Sequence, residues 1–360
     1  MVIAWRVAPQ SGTHNCERHP LSQVSIKKVA DIAGVSIATV SRCINDPSQV
    51  KERTRIKVEK AIRKTGYTPN TIAQSFRRGH TNIIMVVIPS VGDPFFTDVM
   101  QGIRSVISEH GYSIIINETN FNTMSAEEVG AIMVSRQADG FILLASIFPF
   151  GNDLLAKAGN RVQPIVIGCE PISTKLADFP SVHIDNVKAA REATEYLLGE
   201  GHKKIAFISG QQNSLLTNDR EEGYRNAMEN AGLEVEDGWV LAGDLTLGGA
   251  ANACRKLLAH SNRPTAIFCA NDEMAIACLH EIKSTGLGVP RDISVMGFDN
   301  IRYAAMTQPP LTTISQPARE IGERVANRLL KAIKTGNQPD NVPVILPHEL
   351  VVRGSVQPPK

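Results

Sequence analysis

No stretch of this chain approaches the roughly 18 uninterrupted apolar residues that a membrane-spanning helix requires. The first 22 residues, MVIAWRVAPQSGTHNCERHPLS, hold one early arginine and no sustained apolar block. A secretory signal needs both, so this stretch reads as a disordered tail. Six cysteines are scattered without a Cys-x-x-Cys pair, and three fall in or beside apolar strand patterns. Such thiols behave as small hydrophobes, which points to a reduced, cytosolic protein. His14, Cys16 and His19 crowd the tail, but the closed four-ligand set of a structural metal site is missing, and no metal is expected.

Catalytic signatures are lacking too. There is no G-x-G-x-x-G after a strand, no G-x-x-x-x-G-K-[ST], no G-x-S-x-G and no H-E-x-x-H. STGLGVP carries two glycines, but a proline follows at once and no helix opens there. The chain therefore reads as a non-enzyme that requires no cofactor.

What is present is an uneven charge. Residues 23–80 carry twelve Lys or Arg against four acids, a balance of +8 in a chain whose total is +2. Residues 81–360 are accordingly acidic. A basic module joined to an acidic body predicts a polyanion partner for the module alone. At 360 residues and 42% hydrophobic, with mean hydropathy −0.09, the chain is long enough for two or three domains with sizeable cores.

The basic module divides into three helical patterns. Ser25 caps IKKVADIA, where Ile26, Val29, Ala30 and Ala33 share one face, and Gly34 ends it. Ser36 caps IATVSRCIN, which is expected to bury Val40 and Ile44. A third helix spans about Glu52 to Thr65, with Ile56, Val58, Ala61 and Ile62 as apolar members and Gly66 as its stop. Two helices joined by a short turn containing glycine form a helix-turn-helix. On the second helix, Arg42 can meet guanine O6 and N7 with two donors, and Ile37 and Ala38 can touch thymine methyls. Ser36, Thr39, Ser41, Asn45 and Thr54 are hydroxyl and amide groups suited to phosphate oxygens.

From Ile83 onward, short apolar runs alternate with helical patterns: IIMVVI, SIIIN, GFILLA, PIVIG, SVHI, KIAFIS, TAIFC and ISVMG. Strands so uniformly apolar are buried on both faces, which predicts a parallel α/β body. Such bodies bind small ligands at the carboxyl ends of their strands. Phe95, Phe96, Ser146, Asp185, Asn271 and Asp299 follow strands, and Arg220 opens a helix. Arg220, Asn271 and Asp299 can fork onto ligand hydroxyls or a carbonyl, with Phe96 against a ring. Asp185 and Asp299 also suit helix caps, and Phe95 suits a core.

The motifs VADIAGVSIATVSRCIND and TRIKVEKAIRKTGYTPNTIAQSF resemble the DNA-binding head of the LacI/GalR family of bacterial repressors, and GFDN and PPLTTISQP extend the resemblance over roughly 25–354. DPFF, VHIDN, GHKKI and PTAIFC are most similar to its cytidine-repressor branch. The resemblance implies an all-α head followed by two periplasmic-binding-protein-like lobes. Residues 23–67 form the head and 68–81 a hinge helix or linker. One lobe comprises 82–184 with 315–343, the other 185–314 with 344–360. Phe95, Phe96, Ser146, Arg220, Asn271 and Asp299 match effector-contacting positions, whereas Leu245 stands where relatives often carry a ring-stacking aromatic. That departure leaves a nucleoside, a purine and a sugar all open as effector. Tyr67 and Asn70 belong to the matched head motif. Ala73, Phe76 and Arg77 match a hinge that enters the minor groove, with Phe76 in the wedge position usually held by leucine. The implied protein is a cytoplasmic, homodimeric regulator that binds a pseudo-palindromic operator. No leucine heptads follow Arg353, so a coiled-coil tetramer is not expected. A periplasmic sugar-binding transport protein shares the implied body shape but would need neither the basic head nor lack an export signal.

Overall fold

The computed structural model describes residues 24–67, 80–119, 137–144, 163–170, 179–211, 214–337 and 340–360. The tail 1–22, with His14, Cys16 and His19, lies outside the described residues. So do Asn70, Ala73, Phe76 and Arg77 of the hinge, and Ser146. The chain divides into two compact units, 1–79 and 80–360.

The first unit contains helices α1 (Ile26–Ala33), α2 (Ile37–Asn45) and α3 (Glu52–Thr65). Ser25 accepts a hydrogen bond from the Lys28 amide, and Gly34 closes α1 with a left-handed φ of 66°. Ser36 caps α2 by accepting from the Thr39 amide at 3.2 Å. Val29, Ala30, Ala33, Val40, Cys43, Val58 and Ala61 form a core that belongs to this unit alone. Two expectations need correction. Cys43 rather than Ile44 is the second buried residue of α2, and Ile44 is only half-buried. Ile56 is 41% exposed. It lies two positions before Val58, nearly opposite on the helical wheel, so it cannot share the face that Val58 and Ala61 press into the core.

The second unit holds two six-stranded sheets among the described residues. The first comprises β1 (Ile83–Ile88), β2 (Ser113–Glu118), β3 (Gly140–Leu143), β4 (Ile165–Gly168), β5 (Ser181–Ile184) and β11 (Val344–Leu346), in the order β11-β5-β4-β3-β1-β2. The second comprises β6 (Ile205–Ser209), β7 (Val240–Ala242), β8 (Ala266–Cys269), β9 (Ser294–Asp299), β10 (Thr312–Ser315) and β12 (Glu349–Val351), in the order β12-β10-β9-β8-β6-β7. Pairing is parallel throughout except between β10 and β12. The uniformly apolar central strands follow from burial on both faces.

Helices α4 (Pro94–Glu109) and α9 (Ala318–Thr335) cover the first sheet. They approach so closely that a Cβ on Gly102 would lie 2.1 Å from the Arg319 carbonyl oxygen. The second lobe carries α5 (Asn186–Gly199), α6 (Leu215–Asn230), α7 (Leu247–Ala259) and α8 (Asp272–Ser284). The chain passes between lobes after Ile184, after Ser315, and between Leu346 and Glu349. Assigning 344–360 to the second lobe therefore misplaces Val344–Leu346. These residues pair in parallel with Val182–Ile184, which keeps them in the first lobe.

Candidate functional site

On α2, Ile37 is 46% exposed, and Ala38, Arg42 and Asn45 are also exposed, with Ser36 at the cap. Thr39 and Ser41 are half-buried. Thr39 Oγ1 lies 2.9 Å from Ser36 Oγ, and Ser41 accepts from Asn45 Nδ2 at 3.2 Å. Thr54 and Tyr67 are half-buried as well. The small Ala38 and the absence of any acidic residue on α2 leave this helix able to approach a polyanion closely.

The second candidate site is a cleft between the two lobes, partly open to solvent. Its walls are built from the carboxyl ends of strands, as expected for this architecture. Pro89 follows β1, Cys169 and Glu170 follow β4, and Gln211 follows β6. Asn271 follows β8, Asp299 ends β9 and Gln316 follows β10. Of the expected effector residues, Phe95, Phe96, Arg220, Leu245, Asn271 and Asp299 are brought together here. Asp185 is not among the lining residues. It is exposed and caps α5, accepting from the Lys188 amide at 2.9 Å.

Asp93 and Pro94 explain how the aromatic wall is held. Asp93 caps α4 by accepting from the Phe95 amide at 2.9 Å, and Pro94 suits the first helical position because its missing N–H costs nothing there. Phe95 and Phe96 then meet edge to face at 5.3 Å, 6% and 9% exposed. Phe95 is thus core and cleft wall at once. Opposite them, Asn271 caps α8 through Oδ1, which accepts from the Met274 amide, while its Nδ2 donates to the Leu245 carbonyl at 3.3 Å. Leu245 adopts a φ of 58° and Asp299 a φ of 114°. Each is a conformation that non-glycine residues avoid, costing on the order of 1–3 kcal/mol, and such strain concentrates at binding sites.

Arg220 is the electrostatic centre. It is 2% exposed. Nε donates to Asn186 Oδ1 at 3.0 Å, Nη1 donates to the Ala270 carbonyl, and Nη2 lies 3.6 Å from Asp299 Oδ1. Its guanidinium also lies 3.7 Å from the centre of the Phe298 ring. Burial pushes both charged partners toward neutrality, Asp299 well up and Arg220 down, and each is the other's leading counter-charge. Asp93 is likewise raised, by burial first, with the Phe95 amide and Arg220 opposing. Beneath the cleft, burial pushes Asp272 up to about 7, against hydrogen bonds from Thr313 Oγ1 at 2.6 Å and the Ile301 amide at 2.8 Å. Among the described residues no cluster suited to a metal ion occurs, and no helix is long and apolar enough to cross a membrane.

Sequence reasoning missed Asp93, Cys169, Glu170, Gln211, Ser214 and Gln316 as cleft residues. The Asp-Pro step before Phe95 was a readable helix-start signal. Gln316 carried none, because the strand before it is rich in threonine.

Residues 25–70 match the family described as bacterial regulatory proteins, lacI family, and residues 81–352 match the periplasmic binding proteins and sugar binding domain of the LacI family. The HTH-type transcriptional repressor CytR of Escherichia coli (strain K12) is 36% identical over 333 residues, covering 92% of this chain and 96% of the relative. A lac repressor dimer bound to operator and the anti-inducer ONPF superposes with a TM-score of 0.78 at 26% identity, covering 93% of this chain and 99% of that one. A complex of the transcriptional regulator CelR with cellobiose gives a TM-score of 0.68 at 31% identity, covering 92% and 100%. A helix-turn-helix head, a two-lobed body and a cleft at the strand ends agree with these likenesses over nearly the whole chain, and the protein belongs to the LacI family of bacterial transcriptional regulators.

Proposed function

We propose that this regulator is a cytoplasmic repressor that binds a pseudo-palindromic operator as a homodimer and answers to a nucleoside or sugar held between its lobes. The observation that carries the reading is the exposed α2 face, where Ile37, Ala38 and Arg42 are presented by a head with its own core. A two-fold dimer reads two half-sites, so operator symmetry mirrors protein symmetry. The lac repressor relative is a dimer on its operator, and the CelR relative holds cellobiose. By analogy, Arg220, Asn271 and Asp299 are the polar contacts of the effector here, and Phe95 and Phe96 its apolar wall. A transport-type sugar-binding protein would leave the basic head without a task.

Selection from random double-stranded DNA tests the first half of this reading. Recovery of an inverted repeat supports it, and an asymmetric motif overturns the dimeric mode. Phe76→Ala tests the sequence's suggestion that 68–81 takes part in specific binding. Specific affinity should fall strongly while nonspecific affinity changes little, whereas a plain linker would leave both unchanged at matched salt.

A further inference from the structure

Gln316 is the first residue after β10, on one of the three chain crossings between the lobes, and it lines the cleft. Its Nε2 donates to Asp299 Oδ1 at 2.6 Å, and that same oxygen faces the Arg220 guanidinium at 3.6 Å, which makes it the acceptor. The carboxamide oxygen then has no hydrogen-bond partner among the described residues, although the residue is only 6% exposed. A buried acceptor left without a donor is unfavourable, and in a binding cleft it is the mark of a position that a ligand completes.

The charge of the cleft narrows what that ligand can be. Three carboxyl groups line it, on Asp93, Glu170 and Asp299, against the single guanidinium of Arg220. That guanidinium is already engaged by Asn186, the Ala270 carbonyl, Asp299 and the Phe298 ring. No lysine, histidine or second arginine lines the cleft among the described residues. A phosphate or carboxylate placed here would give up its hydration in a poorly solvated site and would find no unengaged cation among the described residues.

Resting on the reading of this cleft as the effector site, we propose that Gln316 is an effector-contacting residue whose Oε1 accepts a hydrogen bond from an uncharged, hydroxyl-bearing ring, and that the cleft rejects anionic ligands. Free and nucleobase-linked ribose share that chemistry, and their phosphate esters do not. Because Gln316 begins the segment from β10 into α9, a ligand bound to it is also bonded to a crossing between the lobes.

The test is calorimetric titration of the full-length protein with ribose, cytidine and adenosine, and with ribose 5-phosphate, cytidine 5′-monophosphate and adenosine 5′-monophosphate. At least one uncharged probe should bind, with its phosphate ester about tenfold weaker or more. Gln316→Leu should weaken the best uncharged probe about tenfold, the loss of one buried hydrogen bond. Removing the ring hydroxyls of that probe one at a time should then reveal one deletion that costs affinity in the wild type and nothing further in Q316L. An ester that binds as tightly as its parent, full affinity in Q316L, or silence from all three uncharged probes would each overturn the proposal. If Q316L fails to fold, the comparison of esters on the wild-type protein still decides the charge rule. Operator selection without ligand, run in parallel, keeps a failure here separate from a failure of the regulator reading.

Discussion

A Cβ on Gly223 of α6 would lie 2.2 Å from the carbonyl oxygen of Val187 on α5. Only glycine permits that approach, and the approach brings Arg220, one turn earlier on α6, onto Asn186, the first residue of α5. Gly223→Ala must therefore push the helices apart. Overpacking of this kind costs about 1–3 kcal/mol. A lowered urea midpoint should appear together with weakened effector binding, and unchanged stability would show that the helices tolerate the methyl group.

Arg220→Ala should abolish the response to effector while leaving operator binding without ligand in place, provided the protein represses when empty. If the ligand acts as corepressor, the variant will instead look constitutively weak on DNA. Calorimetry decides the assignment, because undiminished ligand affinity in R220A would remove Arg220 from the site. Asp299, having lost its leading counter-charge, should be still harder to ionise in this variant.

Asp272 makes stability depend on pH with a definite sign. Its folded pKa of about 7 lies above the usual carboxylate range, so the folded state holds a proton that the unfolded state has released. The stabilisation is fully present below about pH 4 and is lost as pH rises through about 7. Urea midpoints should therefore decline between pH 5 and 7.5, and Asp272→Asn should flatten that decline. Asp219, pushed up to about 6 mainly by burial, acts in the same direction and will leave a residual slope. A wild-type midpoint that rises over this range would contradict the assignment.

Arg42→Ala should cost ~1–3 kcal/mol per half-site and relax preference at one base pair. Competition binding against operators substituted at each position measures both effects. Retention of full base preference would move the guanine contact to another residue.

Much of this architecture could be read from the chain because most of the central strands, such as β1, β3, β4 and β8, are apolar along nearly their whole length. Two strands, β10 and β11, each toward one end of its sheet, could not be read so easily. Thr312 and Thr313 of β10 are wholly buried, yet polar. Thr313 donates to Asp272, and Thr312 accepts from the Arg353 amide through its hydroxyl. Hydrogen bonds from distant residues make such a strand possible, and no local pattern announces them. β11 was equally quiet, since Ile345 is 59% exposed and only Leu346 is buried. Arg220, Asn271 and Asp299 stood out as polar residues at strand or helix ends. Their convergence was read from family likeness, and the geometry now supplies it directly. Gln316 was hidden because it follows a strand whose burial depends on hydroxyl pairing.

The threefold passage between lobes has a consequence for recombining this protein with others. Helix α9 belongs to the first lobe, while the strands on either side of it in sequence are split between the two sheets. Neither lobe is one continuous stretch of chain, so exchanging a single block with another regulator would cut through both hydrophobic cores. The head, with a core drawn entirely from residues 26–67, has no such entanglement. Chimeras that trade operator preference should therefore survive a single junction, whereas those that trade ligand preference will need point changes along the cleft.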